Sequence, residues 1–332
     1  VIAAEASPTL RVPTVADVDD AARLLDGVAI RTPIVQAPLL ETAGGRVFLK
    51  IETLQRTGSF KFRGAYNTIA RIPKNRRAGG VVAYSSGNHA QGVAAAAKLL
   101  GLPAVIVMPR DAPALKRERT AALGAEVVLY DREHENREEI GSRIAHERQA
   151  TLVPPYDHPH VIAGQGTVGR EIGEDLERLG LAAEIVLVPA SGGGLVSGIA
   201  LAVKAQHPAA RIVAVEPAGF DDHVRSFGSG RRERNLRLSG SICDALLAPM
   251  PGEITFEISR KLVREAVSVS DDEVRAAMAF AFRELKLVLE PGGAVALAAL
   301  RAGKVAAEGK TAVAVLSGGN VDPALFASVI AG

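Results

Sequence analysis

From about Val47 to Val315, short β-branched runs alternate with longer stretches rich in alanine and leucine. That alternation is the pattern of parallel strands joined by helices, and it predicts an α/β fold. The strand pattern falls on Val47–Ile51, Val81–Tyr84, Ala104–Met108, Glu126–Leu129, Ile185–Pro189, Ile212–Glu216 and Ala312–Leu316. These runs are apolar almost throughout, as strands covered on both faces should be. Several lead into a turn rich in glycine or serine and then into a helix, an order that puts backbone amides and helix N-termini at the carboxyl edge of a sheet, where open α/β folds bind ligands. The stretch Arg132–Arg148 alternates in charge sign instead and predicts a solvated helix face.

Charge and composition narrow the class. Lysine plus arginine (39) nearly cancels aspartate plus glutamate (37), so no basic field points to nucleic acid, and a small-molecule or protein partner is expected. The apolar stretch Gly92–Met108 is interrupted by Lys98 and Pro103, short of the ~20 residues a membrane span needs. Residues 1–14 contain Glu5 and Arg11, do not read as a signal peptide, and are taken as a loose lead-in. The single cysteine, Cys243, has no intrachain partner, which fits a reducing compartment and predicts a cytoplasmic protein. With 332 residues and no marked linker or repeat, one large domain or two lobes is expected.

The candidate chemistry sits in four clusters. In Gly58-Ser59-Phe60-Lys61-Phe62-Arg63-Gly64 a lysine stands between two phenylalanines, and desolvation by aromatic rings lowers an ammonium pKa, as a nucleophilic lysine requires. The run Val186–Gly198 carries a buried strand into Ser191-Gly192-Gly193-Gly194-Leu195 and a helix reaching about Ala205. Glycines there admit close backbone approach and the helix terminus offers unpaired amides, which makes a phosphate cup without P-loop or dinucleotide spacing. Ser85-Ser86-Gly87-Asn88-His89 opens another helix after a strand and suits a carboxylate. Leu316-Ser317-Gly318-Gly319-Asn320 follows the last strand, with Glu290-Pro291-Gly292-Gly293-Ala294 upstream. His158 and His160 have no assigned task and are expected on the surface.

Together with Ala163-Gly164-Gln165-Gly166-Thr167, these motifs resemble the fold-type II pyridoxal-phosphate enzymes, in the threonine/serine dehydratase and serine racemase branch, over residues 14–322. The resemblance implies a tryptophan synthase β-subunit-like fold of two open parallel α/β lobes with the cofactor between them. Residues 1–70 plus 160–332 would form the large cofactor lobe and 71–159 the small one, with no C-terminal regulatory domain. Lys61 would carry pyridoxal phosphate as an imine and exchange the substrate's α-proton. Phe60 would pack beside the ring, Asn88 would contact its hydroxyl, and Ser191, Gly192, Gly193, Gly194 and Leu195 would hold its phosphate. Ser317 would face the ring nitrogen, and a neutral hydroxyl there favours β-elimination over a long-lived carbanion. Ser85, Ser86, Asn88, His89 and Thr167 would bind substrate. The implied reaction turns L-threonine or L-serine into a 2-oxo acid and ammonia.

Within that branch, Ser86 is shared with serine racemases and 3-hydroxyaspartate dehydratases and would serve the opposite face of the α-carbon, so both remain open as alternatives. Arg137 aligns with an arginine able to pair with a second carboxylate, although its charged surroundings predict exposure. Tyr156 would shape the side-chain pocket. Glu216, Asp222 and the Phe220 carbonyl match residues that hold Mg²⁺, Mn²⁺ or Ca²⁺ in racemase-like members. Ala245, in Ser241–Leu246, adds a methyl where the family has glycine, against the cofactor ring. A homodimer is expected from the resemblance. A β-replacement synthase and a non-catalytic ligand-binding relative are the competing readings.

Overall fold

The computed structural model describes residues 11–331 except 42 and 113, so most of the expected lead-in, residues 1–10, lies outside the described residues. The strands are β1 (Ile34–Gln36), β2 (Arg46–Ile51), β3 (Val81–Tyr84), β4 (Ala104–Pro109), β5 (Glu126–Tyr130), β6 (Thr151–Leu152), β7 (Ile185–Pro189), β8 (Arg211–Pro217), β9 (Glu265–Val269) and β10 (Thr311–Leu316). They form two sheets, one in the order β1-β2-β10-β7-β8-β9 and one in the order β5-β4-β3-β6. Every pairing is parallel except β1 with β2.

Burial on both faces follows from the side-chain period of two. In β2, Val47, Leu49 and Ile51 enter one hydrophobic cluster and Phe48 the opposite one. β10 divides the same way, Ala312, Ala314 and Leu316 against Val313 and Val315. In the smaller sheet, Val81 and Ala83 pack with the helices Lys61–Ile69 and Asn88–Leu100, while Val82 faces the side of Ile144, in the helix Arg137–Glu147. The strands absent from the sequence reading are edge pieces: β1 and β6 span three and two residues, and β9 is half-buried over most of its length.

The helix Lys61–Ile69 rests on the long helix Pro159–Arg178. Gly64 and Gly164 meet so closely that a Cβ on Gly164 would lie 2.6 Å from the Gly64 Cα. The Gly64 amide donates to Gln165 Oε1 (3.2 Å), so the Ala163–Thr167 motif is a docking surface for the lysine-bearing helix. His158 and His160 are half-buried rather than on the surface, and His158 Nδ1 caps the long helix by accepting from the His160 amide (3.2 Å).

Candidate active site

One cleft collects residues from the ends of β3, β7 and β10 and from the loop 244–248. Lys61, the first residue of its helix, enters it with Nζ donating to the Pro155 carbonyl (2.7 Å) and lying 5.2 Å from the centre of the Phe60 ring. Phe62 points the other way into the core, so Phe60 alone flanks the amine, not both phenylalanines. Burial lowers the ammonium pKa to about 8, with the Glu290 carboxylate pulling it partly back up. The loop is fixed from below: the Phe60 amide donates to the Ser317 carbonyl (3.2 Å) and the Gly319 amide to the Gly58 carbonyl (2.9 Å). Thr57 takes a left-handed φ of 62° and Gly58 one of 73°, a tight turn just before Lys61.

Asn88 is held between two side chains. Its Oδ1 accepts from Asn320 Nδ2 (2.7 Å) and its Nδ2 donates to Glu290 Oε1 (2.5 Å), which leaves one amide hydrogen for a ligand. Burial, with the Asp244 charge adding to it, raises the Glu290 carboxyl to about 7. Glu290 lines the cleft beside Lys61 yet had no role in the sequence reading, although its motif stood out; its signal was a carboxylate adjoining Gly-Gly in an otherwise apolar stretch. Lys116 and Asp244 were missed outright. They line the same cleft and pair across it (2.5 Å), contacts between segments 128 residues apart that no local pattern reveals.

The cup is built to receive an anion. Gly193 is the N-cap of the helix Gly194–Gln206 at φ 95°, and no side chain caps that helix, so its first amides stay available. A Cβ on Gly193 would sit 2.8 Å from Thr255, and one on Gly192 would fall within 2.5 Å of the Tyr156 ring. The Gly192 carbonyl is held from behind by Thr255 Oγ1 (2.7 Å) and the Gly252 amide (3.1 Å). Ser191 Oγ accepts from the Ala248 amide (3.0 Å), joining the cup to the loop that carries Asp244 and Ala245. An enclosed amine of lowered pKa facing a strip of free amides fits an aldehyde-bearing phosphate ester, which is the donor set pyridoxal phosphate needs.

A profile described as "Pyridoxal-phosphate dependent enzyme" matches residues 25–318. The chain belongs to that family. It is 45% identical to the L-threo-3-hydroxyaspartate ammonia-lyase of a Pseudomonas species over 317 residues, 95% of this chain and 98% of that protein. It is 42% identical to the L-threonine ammonia-lyase of Thermotoga maritima over 318 residues, 96% of this chain and 78% of that one. Its fold superposes on maize serine racemase with a TM-score of 0.89 at 36% identity, covering 97% and 98% of the two chains. This is a fold-type II pyridoxal-phosphate enzyme, and among the described residues no helix is long and apolar enough to cross a membrane.

Of the expected site residues, Phe60, Lys61, Ser85, Ser86, Asn88, His89, Arg137, Tyr156, Ser191–Leu195 and Ser317 line the family's cleft. The surroundings of Thr167, His89 and Arg137 differ from the reading. Thr167 is not among the lining residues: its hydroxyl donates to the Gly164 carbonyl (2.7 Å) and accepts from Arg63 Nη1 (3.1 Å), so it serves the base of the lysine helix. His89 Nε2 lies 2.9 Å from the Val153 carbonyl, and burial lowers its pKa to about 3, so the ring is neutral with its proton on Nε2. A neutral ring spent on a carbonyl offers no charge to a carboxylate; the free amides at that helix start do. Arg137 is half-buried rather than exposed, with its guanidinium 5.6 Å from the Tyr84 ring centre and no ion pair among the described residues.

The expected ion site comes together differently from the reading. Glu216, Phe220 and Asp222 are all buried, and His223, which had no assigned role, is buried among them. Burial and the Glu216 charge raise the Asp222 carboxyl to about 7. Glu216 Oε1 accepts from His223 Nδ1 (2.9 Å), and both its oxygens accept from the His223 amide (3.0 Å each), Oε2 also from the Val224 amide (3.1 Å). Asp222 Oδ1 accepts from Asn235 Nδ2 (2.7 Å). Mg²⁺ or Ca²⁺ asks for six or more oxygen ligands, about the number Ca²⁺ sites supply. The His223 ring donates to Glu216 Oε1 and lies 3.8 Å from Asp222 Oδ2, so a side chain stands between the two carboxylates and, with the ring there, these residues do not fit such an ion.

Proposed function

We propose that this protein is an ammonia-lyase that converts a small β-hydroxy amino acid, L-threonine or L-serine, into a 2-oxo acid and ammonia. The observation that carries the reading is Ser317, a buried neutral hydroxyl on the cleft floor beyond β10, next to the loop of Lys61. Bound here, pyridoxal phosphate would supply an electron sink joined to the substrate's α-carbon. A hydroxyl in place of a carboxylate at its ring nitrogen moderates that sink and favours prompt loss of the β-substituent. The Lys61 amine, whose lowered pKa of about 8 leaves a fraction of it unprotonated at physiological pH, takes the α-proton, while amides at the start of the helix Asn88–Leu100 orient the carboxylate. The β-hydroxyl leaves as water, carrying the proton that Lys61 took, and the released enamine is hydrolysed by water to the oxo acid and ammonia. The name of the Thermotoga relative points the same way. Ammonia release from the purified holoenzyme across L-threonine, L-serine and both L-3-hydroxyaspartates tests it; no ammonia from any β-hydroxy amino acid rejects it.

Arg137 favours a second reading, dehydration of 3-hydroxyaspartate. A guanidinium with no ion pair among the described residues, lining the same cleft as the Lys116–Asp244 bridge, is suited to a substrate's distal carboxylate, and the Pseudomonas relative bears that substrate's name. Arg137→Met would then raise KM for 3-hydroxyaspartate by about 10-fold or more while sparing L-serine. Ser86 in the cleft keeps racemisation in view, and a D-serine assay on L-serine reads it directly. We read the chain as one catalytic unit whose small lobe is 71–159, supported by the confinement of β3–β6 to residues 81–152. A cytoplasmic homodimer completes the reading, supported by the buried free Cys243 and the family resemblance, and checked by sedimentation.

A further inference from the structure

We propose that the His223 imidazole takes the place of a divalent cation between Glu216 and Asp222, so that a side chain of this protein closes the acid pair and no ion is bound there. The ring is fully buried, with Nδ1 2.9 Å from Glu216 Oε1 and 3.8 Å from Asp222 Oδ2. The contact with a carboxylate that accepts from every other neighbour puts the Nδ1 proton in the space an ion would occupy. Three N–H donors, the ring and the backbone amides of His223 and Val224, share the two oxygens of Glu216, and of these only the ring lies on the side of Asp222. Asn235 engages one oxygen of Asp222, which leaves Oδ2 as the only carboxylate oxygen of the pair without a donor.

The ring also reaches further than an ion does. Its Nε2 lies 3.2 Å from where a Cβ on Gly193 would stand, and its edge meets Phe227 with centroids 5.8 Å apart. His223 therefore wedges between the acid pair and the back of the phosphate cup, the side on which Thr255 already fixes the Gly192 carbonyl. Two buried atoms keep no partner, Asp222 Oδ2 and His223 Nε2. Without the ring, Glu216 Oε1 loses its side-chain donor and Asp222 Oδ2 is still bare, which leaves two carboxylate oxygens around an empty volume, a cation site.

The test uses the holoenzyme, stripped with a chelator and re-equilibrated with Mg²⁺, Mn²⁺, Ca²⁺ or Zn²⁺, and reads bound metal by elemental analysis together with the thermal midpoint. The wild type is expected to retain no stoichiometric metal and to keep its midpoint within about 1 °C, whereas His223→Ala should take up Mn²⁺ and gain about 2 °C or more from it. One equivalent of any of these ions on the wild type, with a raised midpoint, overturns the proposal. So does a folded His223→Ala that binds none. If that variant does not fold, His223→Asn replaces it, and the wild-type arm decides alone if neither folds.

Discussion

Lys61 and Arg63 stand two residues apart on one short helix, and their surroundings make opposite use of a buried cation. Lys61 turns into the cleft, where its amine meets a carbonyl and an aromatic ring and its pKa falls to about 8. Arg63 turns into the base, 1% exposed, where Nε and Nη2 donate to Glu52 (2.9 and 2.8 Å) and Nη1 and Nη2 to Glu171 (2.6 and 2.9 Å). Burial would lower its pKa too, but the two carboxylates drive it upward. Lys50 balances the second acid by donating to Glu171 (2.6 Å) and to the Thr32 carbonyl (2.6 Å). Desolvation alone makes a reactive amine; desolvation with matched partners makes an anchor. The anchor joins β2, the segment before it and the helix Pro159–Arg178, and so fixes the backbone from which Lys61 projects.

The sharpest way to break this comparison is to remove each cation in turn. Lys61→Ala should lower turnover by about 10⁴-fold, the upper range for loss of a positioned acid–base group, while its thermal midpoint stays close to wild type. A midpoint that falls with the activity would make Lys61 an anchor as well. Arg63→Met should do the reverse: urea denaturation should show a loss of about 3–5 kcal/mol, because Glu52 and Glu171 would remain buried with too little compensation. Arg63→Lys keeps the charge without the planar fork and should recover part of the loss.

The same opposition between satisfied and unsatisfied groups runs through the phosphate cup. Its carbonyl side is fully engaged by Thr255 and Gly252, while the amides at the helix start are left without a side-chain cap. Gly193→Ala forces a left-handed φ on a side chain, at about 1–2 kcal/mol, and places a methyl against Thr255. Cofactor affinity of the apoprotein should drop roughly tenfold, measured by titration against absorbance. Unchanged affinity would remove the cup's conformation from the explanation.

Much of this was legible in the chain. The strands of both sheets that are apolar on two faces, β2, β3, β4, β7, β8 and β10, announce themselves by continuous hydrophobic runs, as does β5 by its β-branched centre. The turns after β3, β7 and β10 announce the site together, because each alone could be a tight turn but their shared concentration of glycine, serine and asparagine behind buried strands fits ligand binding. What stayed hidden depends on distance in sequence. Arg63 finds Glu171 across 108 residues, and Lys116 finds Asp244 across 128. Thr167 and His89 were placed at the substrate because their motifs are; only the fold reveals that the Thr167 hydroxyl is engaged by Gly164 and Arg63 and His89 Nε2 by Val153. His223 is lost among two aspartates in sequence, and its importance lies in a ring direction that spacing does not encode.

The smallest effect probes how far Lys61 is truly partnerless. Glu290 is the one carboxylate that acts on it, and it acts to hold the proton on. In the apoprotein the amine must be neutral to attack an aldehyde, so the rate of cofactor capture should climb through pH 8 and level off above it. The native pKa lies below the ordinary value of 10.5. Below about 8, folded and unfolded chains both hold the proton and the fold bears the full cost of burying it. Between about 8 and 10.5 only the unfolded chain holds it, so that cost lifts and apoprotein stability rises with pH. Glu290→Gln keeps the hydrogen-bonding reach to Asn88 but removes the charge, and the midpoint of capture should move to lower pH by less than about one unit. A fall of about two units or more would mean that Glu290 holds this proton much as Glu52 and Glu171 hold the charge of Arg63, and Lys61 would then be a partnered cation like Arg63 rather than its opposite.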